Sequence, residues 1–269
     1  MSNKILIIGK NSFLANEFIK KQEPNTYLAI SHKEALTRIT FDGVDCIINF
    51  SYNPKLNRVS YEESLDVDYL VRKKIIGMNV HYVMISTRKV YGKNRKWNSK
   101  ELDELMPEDY YGLNKKETEY RLLKIGENNL TILRVGNVMG EEFEAERIRM
   151  GSYMIKSLKT SGDIEISYSL KTRKDVISSD YFVKVLGWVV SNKPDGIYNI
   201  GSGCSQEVGE IGGWLINGYG KGKIIGLSSK IQDEFQLDCA KFKKISGLSE
   251  SPVELKNYIT NIGKTLREK

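Results

Sequence analysis

Hydrophobic and polar positions change rhythm along the chain, and the changes predict its elements. Ile5-Leu6-Ile7-Ile8 is an unbroken apolar run stopped by Gly9, the pattern of a strand buried on both faces. From Asn11 to Lys21 the residues Phe13, Leu14, Phe18 and Ile19 recur at helical spacing. Tyr27–Ile30 and Cys46–Phe50 read as strands, the second preceded by the turn pair Asp42-Gly43. A helix over Tyr61–Ile76, a strand over Tyr82–Ser86, a helix over Asp109–Ile125 and a strand over Leu130–Val135 complete the first half. Gly126 and Asn128-Asn129 mark the helix stop before that last strand. Strands that alternate with helices predict an α/β fold with a doubly wound parallel sheet covered on both faces. Ligands of such sheets bind beyond the carboxyl ends of the strands.

The second half is more mixed. Glu144–Lys159 and Asp180–Ser191 read as helices, and Ile164–Ser167, Val176–Ile177 and Gly196–Ile200 as short strands. Two or three further helices follow Gly203. No repeat, low-complexity tract or long linker interrupts the chain. The expected organisation is a dinucleotide-binding domain over residues 1–140, with return segments near 175–202. A smaller mixed lobe over 141–269 would be the main substrate-binding part.

Composition narrows the class. The 269 residues fit one large domain or a domain with a lobe, and 40% hydrophobic with 28% charged residues excludes fibrous and disordered chains. No apolar run approaches the ~20 residues that cross a bilayer, and Ile5–Ile8 is too short for a signal-peptide core. No membrane association and a cytoplasmic location are therefore expected. Cys46, Cys204 and Cys239 have neither zinc nor redox spacing, and no His/Cys/carboxylate cluster argues for a metal. His81 reads as a structural histidine opening a strand. The net charge of +7 is spread over pairs such as Lys20-Lys21, Lys73-Lys74, Lys115-Lys116 and Lys243-Lys244, each with acidic neighbours. That is the pattern of solvated helix faces rather than a nucleic-acid stripe, and a mild positive field suits phosphate-bearing ligands.

Three segments could carry chemistry. The turn Gly9-Lys10-Asn11-Ser12-Phe13-Leu14-Ala15 joins a strand to a helix, where backbone N–H groups and the helix end favour a pyrophosphate. A plain structural turn reads equally well. Tyr111 and Lys115 lie four apart on one helix face, where an ammonium favours the phenolate and fits the phenol for proton transfer. Tyr110, with Asn114 as its own partner at that spacing, lacks the cation. In Ile85-Ser86-Thr87-Arg88-Lys89-Val90-Tyr91-Gly92, Thr87 offers a hydroxyl at a strand end, for a substrate oxygen or for a turn hydrogen bond.

In order and spacing these segments resemble the extended short-chain dehydrogenase/reductase superfamily, in its NAD-dependent epimerase/dehydratase branch of sugar-nucleotide enzymes. Gly9–Ala15 resembles the GxxGxxG/A turn, and Asp45–Ser51 the strand written DvViNlAa. Ser86–Gly92 is similar to S-[ST]-x-x-V-Y-G, and Tyr111–Lys115 with Glu119 to YGxSKxxxE. Leu133–Gly140 is similar to LRxxNvyG, Lys174–Ile177 to RDFI, Tyr198–Gly203 to YNiGsG, and Leu237–Leu248 to the family's ending. The resemblance implies a Rossmann fold and catalytic roles for Thr87, Tyr111 and Lys115. Tyr111 would exchange the proton, Lys115 would lower its pKa and hold the nicotinamide ribose, and Thr87 would bond the reacting oxygen. It places the cofactor against Gly9, Asn11, Ser12, Phe13 and Leu14 in the first turn, and against Ser31, His32 and Lys33 after the second strand. Phe50, Ser51, Tyr52, Ile85, Val135 and Val138 would line the remainder. Substrate contacts fall to Thr87, Arg88, Tyr111 and Asn137, with Arg173 and Lys174 as a phosphate clamp.

Departures from the pattern refine the expectation. Family dehydratases carry Asp-Glu where this chain has Arg88-Lys89, and cations cannot serve as that acid/base pair. Reduction of a keto group on a nucleotide-linked sugar is the first expectation, and epimerisation with bound NAD the alternative. A non-catalytic dinucleotide sensor or scaffold is the rival from another class. Ser31-His32-Lys33 contains no acid for a ribose 2′-OH, so NADP(H) is preferred and NAD(H) is the alternative. Ser12 replaces the middle glycine, the stretch between Ile30 and Asp45 is short, and Asp66 or Asp68 stands near a place where the family prefers Asn. The resemblance also implies a homodimer formed by the Tyr61–Ile76 and Asp109–Ile125 helices.

Overall fold

The computed structural model describes residues 4–38, 40–93, 97–126, 128–142 and 149–268. The chain runs β1 (Ile5–Ile8), α1 (Phe13–Ile19), β2 (Tyr27–Ile30), α2 (His32–Thr37), β3 (Cys46–Asn49), α3 (Val67–Lys74), β4 (His81–Thr87), α4 (Tyr110–Lys124) and β5 (Leu130–Val135). It continues with β6 (Asn137–Met139), α5 (Met150–Ser161), β7 (Ile164–Ile166), β8 (Arg173–Lys174), β9 (Val176–Ser178), α6 (Ser179–Asn192) and β10 (Gly196–Ile200). The last elements are β11 (Gln206–Glu207), α7 (Val208–Tyr219), β12 (Ile224–Gly226), α8 (Ala240–Ser246) and α9 (Pro252–Glu268). Two compact units result. The first is Met1–Arg95, Glu101–Val135 and Val183–Asn199; the second is Lys96–Lys100, Gly136–Phe182 and Ile200–Lys269.

The first unit is built on a six-stranded sheet of order β10-β5-β4-β3-β1-β2. The β1–β2, β1–β3, β3–β4 and β4–β5 pairings are parallel. Every position of β1, β3 and β5 is buried; β1 is accordingly an unbroken apolar run, while β3 ends in Asn49 and β5 carries Thr131 and Arg134 among its apolar residues. Leu6, Ile8, Ile47, Tyr82 and Ile132 from the sheet pack with Val67 and Val71 of α3 and Leu122 of α4. The strand order reverses between β1 and β3, so the turns after Ile8, Asn49 and Thr87 gather at the carboxyl edge where such sheets bind ligands.

Helix ends follow side-chain caps more than periodicity. Ser12 is extended (φ −69°, ψ 138°), so α1 starts at Phe13 rather than Asn11. The Asp66 carboxylate accepts from Tyr69 N at 3.1 Å and starts α3 at Val67; Glu63–Leu65 before it is a single 3-10 turn. Among the described residues, the short stretch after Ile30 holds α2 and no strand before β3. The start of the helix expected at Glu144 lies outside the described residues; α5 begins at Met150 and stops at Gly162 (φ +79°).

In the second unit β6 pairs with β9, β7 with β12, and β8 with β11, each over two or three residues, too few for a periodic signal. Its core joins α5, α7 and α9. Leu255, Ile259, Ile262 and Leu266 form the buried stripe of α9 against Ile211 and Leu215. The backbones of α7 and α9 touch through glycine: a Cβ on Gly218 would lie 1.9 Å from Thr260 O, and one on Gly263 2.2 Å from Leu215 O.

Candidate functional site

The first turn is tight and close to its neighbour. Gly9 has φ +91°, and a Cβ there would lie 2.8 Å from Ser51 N. Gly9 and Lys10 N–H both donate to Ile30 O, at 2.9 and 3.2 Å, and Ser12 N–H returns to Gly9 O at 2.8 Å. Asn49 Oδ1 accepts from Ser51 N–H (2.9 Å) and Ser51 O–H (2.6 Å), folding the Phe50–Tyr52 segment over Gly9. Glycine is thus required at position 9, and Ser12 in place of a glycine is accommodated as the cap residue of α1.

At the end of β2, Ser31 and Glu34 cap α2 reciprocally: Glu34 N–H donates to Ser31 Oγ (3.2 Å) and Ser31 N–H to Glu34 Oε2 (2.7 Å). Lys10 Nζ lies 3.2 Å from the same carboxylate oxygen. The Ser31 bonds, then Lys10, hold the Glu34 carboxyl down to about 2. A carboxylate absent from Ser31-His32-Lys33 thus stands one residue later, beside Lys10 of the first turn.

At the centre is the start of α4. Asp109 caps it, accepting from Gly112 N–H at 2.8 Å, and also pairs with Lys89. A Cβ on Gly112 would lie 2.8 Å from Lys89 O, so the turn after β4 rests directly on the helix start. Thr87 Oγ1 accepts from Lys89 N–H (3.2 Å), which leaves its hydroxyl proton to donate elsewhere. Tyr110 is 44% exposed. Tyr111 instead meets Tyr52 edge to face, with centroids 5.0 Å apart at 86°, and Lys89 Nζ stands 6.0 Å from its ring.

Lys115 is buried. Its ammonium donates to Ile85 O (2.9 Å) and to Asp68 Oδ2 (3.3 Å) and lies 5.2 Å from the Tyr52 ring centroid. Burial works against its charge, but Asp68, followed by Tyr111 and Asp66, outweighs that and raises its pKa. Asp68 also accepts from Asn49 Nδ2 (2.8 Å) and Tyr82 O–H (3.0 Å). Behind the end of β4, Arg134 holds Glu119 through Nη2 (2.7 Å) and Nε (3.1 Å), and its Nη1 donates to Tyr91 Oη (3.0 Å). Ser86 donates to the same Glu119. This buried network ties β4, α4 and β5 together beneath Thr87.

Val135, Arg88, His32 and Lys33 also lie in the first unit, and Asn137, Val138, Arg173 and Lys174 in the second. Asn137 N–H donates to Asp175 O at 3.2 Å, and Val138 follows it in β6. Buried Asp175 accepts from Ser202 N–H and O–H (both 2.7 Å) and from Leu237 N–H (3.1 Å). The Arg173 guanidinium reaches Ser205 Oγ at 3.2 Å. Lys174 does not stand out as a clamp: its buried ammonium is taken up by Gln232 O (2.8 Å) and Asp233 O (2.6 Å). The structure thus gathers Gly9–Leu14, Phe50–Tyr52, Ile85, Thr87, Tyr111 and Lys115 in one unit, and Asn137, Val138, Arg173 and Lys174 in the other.

A family model, the NAD-dependent epimerase/dehydratase family, matches residues 3–201. The chain belongs to that family. Its fold also matches solved structures end to end, at low identity. The UDP-glucose 4-epimerase of Thermotoga maritima, solved with UDP-glucose, is 19% identical, with 98% of this chain and 99% of that one covered and a TM-score of 0.80. The UDP-N-acetylglucosamine 4-epimerase of Methanobrevibacter ruminantium is 14% identical, with both chains covered completely and a TM-score of 0.82. A dTDP-4-dehydrorhamnose reductase from Yersinia enterocolitica is 18% identical over 96% of this chain and 98% of that one, with a TM-score of 0.72. No curated protein matches the chain. Among the described residues no helix is long and apolar enough to cross a membrane, and no group of three His, Cys, Asp or Glu could hold a metal.

For a member of this family, sequence reasoning missed Asp68 as the partner of Lys115, Glu34 as the acid beside the first turn, and the contact of Tyr52 with Tyr111. Asp68 and Lys115 are 47 positions apart, and no local spacing connects them. Glu34 was within reach: Ser31-x-x-Glu34 is a capping-box pattern.

Proposed function

We propose that the protein reduces a keto group on a nucleotide-linked sugar, with Tyr111 as proton donor. The observation that carries this is the site at the end of β4, where Thr87, Tyr111 and Lys115 are backed by Arg88 and Lys89 instead of an acid pair. The Gly9 turn, which a Cβ would close, fits a dinucleotide. Gly9–Leu14 would cradle its pyrophosphate, Phe50–Tyr52 would cover it, and Lys115 would hold its ribose. When bound, the cofactor supplies the hydride. The chain's own part is positioning and proton transfer. The Thr87 hydroxyl donates to the substrate carbonyl oxygen, and the Tyr111 phenol gives its proton to the alkoxide as it forms. The Lys115 charge supports the phenolate left behind.

The cofactor reading changes with Glu34. A fixed carboxylate at the edge of β2 suits a ribose diol and repels a 2′-phosphate. We therefore favour NAD(H), against the NADP(H) expected from Ser31-His32-Lys33. Asn137 and Arg173 are the residues we assign to the nucleotide diphosphate. Epimerisation is the second reading, supported by the epimerases among the solved structures that share the fold. Incubation with candidate sugar nucleotides, in both their hydroxyl and their keto forms, separates the two: reduction of a keto form consumes one reduced cofactor per product, whereas an epimer formed from a hydroxyl form with no cofactor consumed supports the epimerase and overturns the reductase.

A further inference from the structure

We propose that Asp68 is a positioning residue for the proton transfer: its buried carboxylate fixes the Lys115 ammonium at the floor of the site and keeps it charged beside Tyr111. The proposal rests on the reading of Tyr111 and Lys115 as the proton-transfer pair. The geometry supports a dedicated partner rather than a chance ion pair. Both side chains are 4% exposed and 3.3 Å apart. Asp68 is held independently of the lysine, by the amide of Asn49 from β3 and the hydroxyl of Tyr82 from β4. It also stands in the first turn of α3, where the helix favours an anion. Lys115 is held from the other side by Ile85 O and the Tyr52 ring, so it has one position rather than a choice of several.

The groups that face this pair are few. Asp66, at the cap of α3, accepts from Tyr61 O–H (2.7 Å) and Thr118 O–H (2.8 Å), and burial followed by the Asp68 charge raises its pKa. Tyr82 is on β4, Tyr52 follows β3, and Tyr111 is one turn before Lys115 on α4. Without Asp68 the buried ammonium would be left with Asp66, whose own charge burial disfavours, and with phenols, and it would be drawn toward neutrality; a neutral amine cannot support a phenolate. Asp68 prevents that while leaving Tyr111 the neighbour that gains or loses the proton.

The test is Asp68→Asn, which keeps an oxygen for the Asn49 and Tyr82 bonds and removes the charge. Lys115 is followed by 15N NMR of the lysine ammonium groups, and the pH profile of kcat/KM is taken in the reducing direction. The expected result is a Lys115 midpoint lower by about one pH unit or more, with the alkaline limb of the profile displaced from its wild-type position. An unmoved midpoint overturns the proposal, as does a moved midpoint with an unmoved limb, which is what a merely structural pair would give. In the wild-type protein itself, a Lys115 amine already neutral near pH 7 overturns it without any variant. Failure of the proton-donor reading is seen separately, as turnover retained in Tyr111→Phe, while the NMR titration still reports on Asp68.

Discussion

At the scale of single residues, charge placement decides the chemistry. Glu34 is anchored by two bonds to Ser31 and faces Lys10. With Glu34 at the ribose as proposed, Glu34→Gln is expected to shift the ratio of NAD(H) to NADP(H) affinities several-fold toward NADP(H), since a 2′-phosphate would no longer face a carboxylate. Titration of both cofactors by fluorescence checks this, and an unchanged ratio removes Glu34 from the ribose site. His81 gives a second prediction. Its Nε2 contacts Thr131 Oγ1 at 2.7 Å, its Nδ1 has no hydrogen-bond partner among the described residues, and burial lowers its pKa to about 4. The unfolded chain takes up that proton near pH ~6.5. Its contribution is therefore complete above that pH and is lost as pH falls toward 4, by about 3 kcal/mol at most. Thermal unfolding between pH 7 and 4.5 should show the loss, and His81→Gln should flatten it. The four-residue spacing of Tyr111 and Lys115 on α4 and the place of Thr87 at the end of β4 were legible in the sequence, because both are local facts. The partnership of Asp68 with Lys115 exists only once α3 and α4 lie side by side.

At the scale of elements, continuous apolar runs were legible as buried strands because a parallel sheet covered on both faces allows nothing else. Helix ends were less so. Asp66 and Ser12 delay α3 and α1 by satisfying or reorienting the backbone ahead of the first periodic residue. The two- and three-residue strands of the second unit leave no rhythm to read. The α7–α9 contact was also invisible, since it depends on glycines rather than on side chains. Gly263→Ala is expected to destabilise the protein by about 3 kcal/mol, because its Cβ would meet the backbone at Leu215 rather than a side chain able to turn aside. Gly213→Ala on α7, with nothing within 4 Å of its Cβ, should be neutral or slightly stabilising. Equal effects in denaturant unfolding contradict the account of that contact.

At the scale of the molecule, the family order of motifs spans residues 3–201 and explains why the fold class was readable. Val183–Asn199 groups with the first unit, within the stretch near 175–202 where return segments were expected. Assembly is a proposal at this scale. Tyr110, Leu113, Tyr120 and Leu123 of α4 are each 44–56% exposed and recur at helical spacing, an apolar stripe that a second copy would cover. Sedimentation should give a dimer, and Leu113→Lys with Leu123→Lys a monomer; a monomeric wild type contradicts the proposal. The proposed chemistry turns on one phenol, and Tyr111→Phe removes only its hydroxyl. With NADH and a substrate that the wild type reduces, the variant should bind cofactor with unchanged affinity and lose at least about a thousandfold in kcat. Turnover within a few fold of the wild type would mean that the proton comes from elsewhere.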